Sequence, residues 1–304
     1  MNNATMFGTS LSNVWTLHSA KVKFFEVHLF RALMDCFTSL KNRFHIEEYH
    51  GSRHQVTFLG TGKFSRPKAR CELSDLLIVT YGLAPDFWAR MTFLQAKRCP
   101  STFCLCGQYP SFPESATFKG NSEQWDLLSR RPCIEGVSTF KPPPHLLKGA
   151  ILPSVGSFGI FHRTQQSSIG FMYVSADRLS PKGNPTTSRQ ISLVAAPGMS
   201  IRIIDGFPEA TLLCCIEKFG TYLFEGCIGS PISYENVKDQ NDLQYRSEIR
   251  RWLGAILAAH AARSELKTPV VDELLLGVDI NPEKTSITNT LPSVLVIRTD
   301  ITKE

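Results

Sequence analysis

Apolar positions set the reading of this chain. Leu29, Phe30, Leu33, Phe37 and Leu40 recur three and four apart, which predicts an amphipathic helix over VKFFEVHLFRALMDCFTSLKNRF, residues 22–44. The texture then shortens. HQVTFLG (54–60) predicts a short strand, and 61–70 a basic turn. LSDLLIVTYG (73–82) and RMTFLQAKR (90–98) predict two strong strands, which the connection GLAPDFWA is short enough to join as an antiparallel hairpin. A Cys- and Pro-containing stretch (99–119) reads as irregular. NSEQWDLLSRRP (121–132) predicts a short helix, with Asn121 or Ser122 as its cap and Pro132 beyond its end. FKPPPHLLKG (140–149) reads as a turn leading into a short helix.

From about residue 150 the apolar runs are brief and broken by Gly, Pro and Asp. GSFGIFH, IGFMYVSAD, RQISLVAA, MSIRIIDG, ATLLCCIEKFG and YLFEGCIG all read as strands of an antiparallel or mixed sheet. LQYRSEIRRWLGAILAAHAAR (243–263) predicts an amphipathic helix with Ile249, Trp252, Leu253, Ile256 and Leu257 in one stripe, which fits either core packing or a partner surface. LPSVLVIRTD predicts a closing strand. The expected class is α+β (mixed α/β), divided into residues 1–150 and a strand-rich region, 151–304.

Composition narrows this picture. A chain of 304 residues, 42% hydrophobic, can bury one large core or two modest ones. No apolar run reaches membrane-span length and the N-terminus lacks a secretory pattern, so a cytoplasmic protein is expected. Nine cysteines, an odd number, suit reduced and buried thiols better than a disulfide framework. Cys99, Cys104 and Cys106 would need Cys133 or a histidine to complete a zinc site; packing is the simpler reading. The net charge of +6 is uneven, with +7 in residues 1–150 and −1 in the remainder. Lys63, Arg66, Lys68 and Arg70 contribute to that basic excess, and with Arg98 they are candidates for phosphate contact or simply a solvated face. There is no Gly-rich phosphate loop, HExxH or GxSxG motif, which argues against nucleotide-fold, zincin and serine-hydrolase chemistry.

One constellation points to chemistry. Strand side chains alternate faces, so Phe93, Gln95 and Lys97 share one face of their strand, and Leu73, Asp75 and Leu77 one face of theirs. In an antiparallel hairpin the start of the first strand meets the end of the second, which brings Asp75, Gln95 and Lys97 to one rim. Glu26 lies at helical spacing before Leu29, Phe30, Leu33 and Phe37, so its carboxylate belongs to the apolar face and needs a partner.

A helix acid, a strand aspartate and a following Gln-Ala-Lys resemble the core of the PD-(D/E)XK nucleases. The glutamine in place of the third-motif acid is similar to the Mrr-type restriction endonucleases. The resemblance covers residues 20–135 and carries over to Glu26, Asp75, Gln95, Ala96 and Lys97, with Ser74 where a proline often stands. It implies a restriction-endonuclease-like core with a helix-flanked mixed sheet and metal-dependent hydrolysis of phosphodiesters. Asp75, Gln95 and Glu26 would hold Mg²⁺ (or Mn²⁺) through oxygen, and Lys97 would position the attacking water. Glu72 is a reserve ligand, and Gln124 a candidate site-facing residue of the next helix; Arg130 and Arg131 could touch phosphates or be solvated helix-end cations. The implied partners are nucleic acid, DNA above all, and a regulatory subunit of ATPase or helicase type, as in restriction-like anti-phage systems. The rival class is a non-catalytic subunit that uses such a fold to bind nucleic acid or protein.

Overall fold

The computed structural model describes residues 2–51, 54–83, 85–102, 117–185, 189–196, 200–264, 269–276, 278 and 291–302. Two helices open the chain, α1 (Asn3–Ser19) and α2 (Glu26–Leu40). Five strands follow: β1 (Phe44–Tyr49), β2 (Gln55–Leu59), β3 (Lys68–Glu72), β4 (Leu76–Gly82) and β5 (Trp88–Thr102). After β6 (Thr117–Asn121) come α3 (Ser122–Arg130) and β7 (Ile134–Gly136). The strands β8 (Gly156–Arg163), β9 (Ile169–Ser175), β10 (Leu179–Lys182), β11 (Gln190–Ala195), β12 (Ile201–Ile204), β13 (Phe207–Ala210) and β14 (Leu212–Leu213) lead to α4 (Ile216–Phe224). β15 (Ser230–Pro231), α5 (Gln240–Ser264), α6 (Pro269–Leu274) and β16 (Val294–Thr302) complete the chain.

The architecture is α+β. Its main sheet runs β1-β16-β4-β5-β8-β9-β14, with β15 also on β5. β4 and β5 form the expected antiparallel hairpin, with Leu76 opposite Leu94. β8 then lies parallel to β5, which requires a crossover, and α3 is part of it. β16 inserts parallel to β4 and antiparallel to β1. Strands from both sides of residue 150 therefore share one sheet, and no break in the sheet falls there.

Alternation along the strands gives the sheet two apolar faces. Leu76, Ile78, Leu94 and Ala96 pack with Leu29, Leu33 and Phe37 of α2 and with apolar residues of α1 and α4. Leu77, Val79, Met91 and Phe93 pack on the other face with Leu127 and Leu128 of α3 and with Ile249, Leu253, Ile256 and Leu257 of α5. The α5 stripe is thus core, and partly buried Trp252 packs against it. Gly156 brings α3 down onto β8, since a Cβ there would lie 2.7 Å from the carbonyl oxygen of Leu128.

Several sequence expectations need correction. The N-terminal residues, for which the periodicity predicts no element, form α1, with Phe7, Leu11 and Trp15 buried. The helix expected over 22–44 spans only Glu26–Leu40, because Phe44 is already paired with Thr302 in the sheet. The basic turn over 61–70 gives way to β3 at Lys68. Residues 140–149 make turns rather than a helix. Of ATLLCCIEKFG and YLFEGCIG, Leu212 and Leu213 form the expected strand, β14, whereas Ile216–Phe224 is helix, α4. Of the two expected caps, Asn121 and Ser122, the structure uses Asn121: its side chain accepts from the N–H groups of Glu123 and Gln124.

Candidate functional site

The rim forms because the two hairpin strands differ in length. β4 begins at Leu76, opposite Leu94, while β5 continues to Thr102. Gln95, Ala96 and Lys97 pair with Phe158, Gly159 and Ile160 of β8 on one side, and β4 has ended on the other. Asp75 fills the step. Its N–H donates to the Leu94 carbonyl at 3.0 Å, and its Oδ2 accepts the Ala96 N–H at 2.7 Å. The carboxylate stands where the next backbone carbonyl of β4 would have been. Burial pushes the Asp75 carboxyl above its usual range; the Lys97 charge and the Ala96 N–H pull the other way without cancelling it.

Gln95 is fully buried, and among the described residues neither its Oε1 nor its Nε2 finds a hydrogen-bond partner. A buried amide left this way costs about 1–3 kcal/mol, so its retention in the middle of a sheet calls for a reason. Lys97 is nearly buried, and its Nζ lies 3.3 Å from Oε1 of Glu26. Alternation starts Lys97 on the Phe93–Gln95 face, whereas α2 packs on the Leu94–Ala96 face. The pair can form because β4 has already ended beside this part of β5.

Glu26 itself is the first residue of α2, after Phe25 as N-cap, and its side chain is 43% exposed. It sits at the lip of the rim, where the helix N-terminus favours a carboxylate. The rim thus joins two carboxylates, the Gln95 amide and an ammonium from α2, the start of β4 and the middle of β5. The oxygens are hard donors of the type that magnesium or manganese takes. Among the described residues no three His, Cys, Asp or Glu side chains gather into a metal-holding group.

The other sequence candidates scatter. Arg66 donates to buried Glu123 at 2.7 Å, and Arg189 shares that carboxylate. Arg70 donates to Gln55, and Lys63 lies over the Phe64 ring; Lys68 is exposed on β3. Glu72 ends β3 in the separate β3-β2-β7 sheet, opposite Gln55. Gln124 is half-buried on α3. Arg130 grips Asp126 and the Leu59 carbonyl, and Arg131 donates to the Ala150 carbonyl. Cys99 is buried and donates to the Thr117 carbonyl, Cys133 lies 3.4 Å from His145, and Cys104 and Cys106 lie outside the described residues.

Arg98 behaves differently. It donates to the Phe24 carbonyl at 3.0 Å and lies over the Phe24 ring, 5.6 Å from its centre. Arg163, from the end of β8, lies over the same ring at 4.7 Å. Both line a groove of about 920 Å³, together with Lys23, Phe25 and residues of the β8–β9 turn. Of these only Arg98 was singled out in the sequence. The available signal was Lys23-Phe24-Phe25 directly before Glu26, which helical periodicity absorbed.

No helix among the described residues is long and apolar enough to cross a membrane. Comparison with family models, with curated proteins and with solved structures finds no match to this chain.

Proposed function

We propose that this protein is a metal-dependent nuclease that hydrolyses phosphodiester bonds, in DNA above all, at the rim formed by Glu26, Asp75, Gln95 and Lys97. The observation that carries the reading is Gln95: a buried amide with no partner among the described residues, in the same strand as Lys97 and opposite the Asp75 step. An unsatisfied carbonyl oxygen next to a carboxylate is costly for a fold and useful to a cation. The resemblance to the PD-(D/E)XK nucleases with a Gln-x-Lys motif adds to it, and the helix-flanked mixed sheet is of the kind that resemblance implies.

Asp75 and Gln95 would hold Mg²⁺ or Mn²⁺, with Glu26 at the lip as the outer oxygen donor. A bound divalent cation supplies a water of lowered pKa and neutralises charge on the phosphate oxygens. Asp75 is fixed for its part by the Ala96 N–H, which holds one carboxylate oxygen and sets the orientation of the other. Lys97 presents an ammonium to the oxygens on which negative charge grows, in a nearly water-free position where such a charge counts for more than in bulk solvent. Glu26 keeps that ammonium at the open side of the strand.

A second reading has an observation of its own. Glu26 is engaged with Lys97, and the described residues hold no group of three metal-binding acids, histidines or cysteines. That favours a non-catalytic subunit that binds nucleic acid.

Cleavage of plasmid and linear DNA decides between them, with Mg²⁺ or Mn²⁺ and with EDTA, for wild type and for Asp75→Asn, Gln95→Met and Lys97→Ala. The nuclease reading expects metal-dependent cutting that falls about a hundredfold or more in the Asp75 and Lys97 variants. Cutting that survives both substitutions removes the rim from the mechanism. DNA binding without cutting by the wild type favours the second reading.

A further inference from the structure

We infer that the groove beside Glu26 and Lys97 is the track for an unpaired nucleic-acid strand flanking the bond to be cut, with its phosphates on Arg98 and Arg163 and a base against Phe25. The inference deepens the nuclease reading and rests on it for where the cut falls; the binding itself does not depend on that reading.

Charge is the first argument. Lys23, Arg98 and Arg163 line the groove, and among the described residues no aspartate or glutamate does. Several other arginines are neutralised at close range: Arg66 by Glu123, Arg130 by Asp126, Arg202 by Glu209, Arg246 by Asp242. Among the described residues Arg98 and Arg163 have no such carboxylate. They are instead held over one ring, that of Phe24, which brings two guanidinium groups together at one wall. Two like charges gathered without an acid make a site for anions, and a polyanion releases counterions on occupying it.

Shape is the second. The Trp15 indole donates to the Ile169 carbonyl at 2.8 Å and stacks on Phe161, tying α1 to the β8–β9 turn. That turn is closed by a Thr164–Ser168 hydroxyl contact at 2.6 Å and by the backbone bond from Thr164 N–H to the Ser168 carbonyl. The groove is therefore walled by packed elements and needs little ordering on binding.

The third argument fixes the form of the ligand. Phe25 is 55% exposed and stands between Phe24 of the groove and Glu26 of the rim. A ring at this position can stack only on a base whose face is open. Paired bases hide their faces inside the duplex, and unpaired ones do not. Cations without the ring would fit either form; the ring selects the single strand.

The test is binding in EDTA, so that nothing is cut. A fluorescein-labelled DNA duplex with a single-stranded tail of about ten nucleotides is compared with the same duplex blunt, by anisotropy across a salt series. The wild type is expected to bind the tailed duplex about tenfold more tightly than the blunt one. Phe25→Ala is expected to erase that preference, and Phe25→Trp to restore it. The Arg98→Ala/Arg163→Ala double variant is expected to weaken tailed binding and reduce the logarithmic salt slope by about 1.4. Equal binding of tailed and blunt duplex, or a preference that survives Phe25→Ala, overturns the inference. Metal-dependent cutting with no tail preference overturns the groove and leaves the nuclease reading standing. Tail-selective binding with no cutting does the reverse.

Discussion

Asp75 does two things with one carboxylate. It completes the backbone ladder by accepting the Ala96 N–H, and it places a charge at a site that burial makes costly. Because the folded carboxyl titrates above its ordinary value of 3.8, the folded chain holds more protons than the unfolded chain between the two values. Stability therefore falls as pH rises through that window and stays lowered above it. Asp75→Asn keeps an acceptor for the Ala96 N–H and removes the charge. The variant is expected to be more stable than wild type at pH 7, by about 0.5–2 kcal/mol, with the gain gone below about pH 4 where both chains are neutral at this position. Urea denaturation at the two pH values measures it. A variant less stable than wild type at pH 7 would mean that attraction to Lys97 outweighs the burial cost. The residue types at this rim were legible in the sequence, and so was their shared face. The missing partners of Gln95 were not, because an unsatisfied group is defined by everything that surrounds it.

The helices show at the next scale why periodicity succeeds or fails. α3 is legible to within a residue of its cap because Asn121-Ser122, the apolar spacing and Pro132 are local signals that agree. α4 was misread as strand because Gly220 divides its apolar run and looked like a breaker. In the structure Gly220 is a contact: a Cβ on it would sit 3.0 Å from the Gly8 Cα, and one on Gly8 would sit 2.2 Å from the Thr221 hydroxyl. The two glycines let α1 and α4 cross with their backbones close, and the need for glycine comes from the neighbouring helix rather than from the backbone conformation. Gly8→Val must force the pair apart and is expected to destabilise the fold by about 1–3 kcal/mol, read as a lowered denaturation midpoint. An unchanged midpoint would show that the crossing gives way easily and that α1 adds little to the fold.

At the scale of the molecule, the sheet ties the ends of the chain together. β16, from the last residues described, lies between β1 and β4, and β8 supplies the second neighbour of β5. A fragment of residues 1–150 would leave β4 without β16 and the Gln95–Lys97 segment with no strand on either side, exposing Leu77, Val79 and Phe93 to water. The fragment is expected to lack cooperative unfolding and to aggregate, as exposed strand edges do. A cooperative thermal transition followed by circular dichroism would instead establish residues 1–150 as a unit that folds by itself. Charge separates at this scale too: of the cations that give residues 1–150 their excess, Arg66 and Arg130 are neutralised by carboxylates, and Arg98 has none among the described residues.

The sequence by itself determined what is short-range. Alternation set the β4–β5 hairpin and the common face of Gln95 and Lys97, the stripe on α5 set its apolar side, and Asn121 or Ser122 set the start of α3 to within a residue. Each follows from spacing within a few residues, where backbone geometry alone fixes which side chains are neighbours. Only the tertiary structure decided that β16 enters between β1 and β4, that α2 starts at Glu26, and that Arg98 and Arg163 meet on Phe24. These depend on contacts between segments up to hundreds of residues apart. Many chain paths satisfy the same local pattern, and the choice among them is made by which apolar faces can be buried together with every backbone group paired.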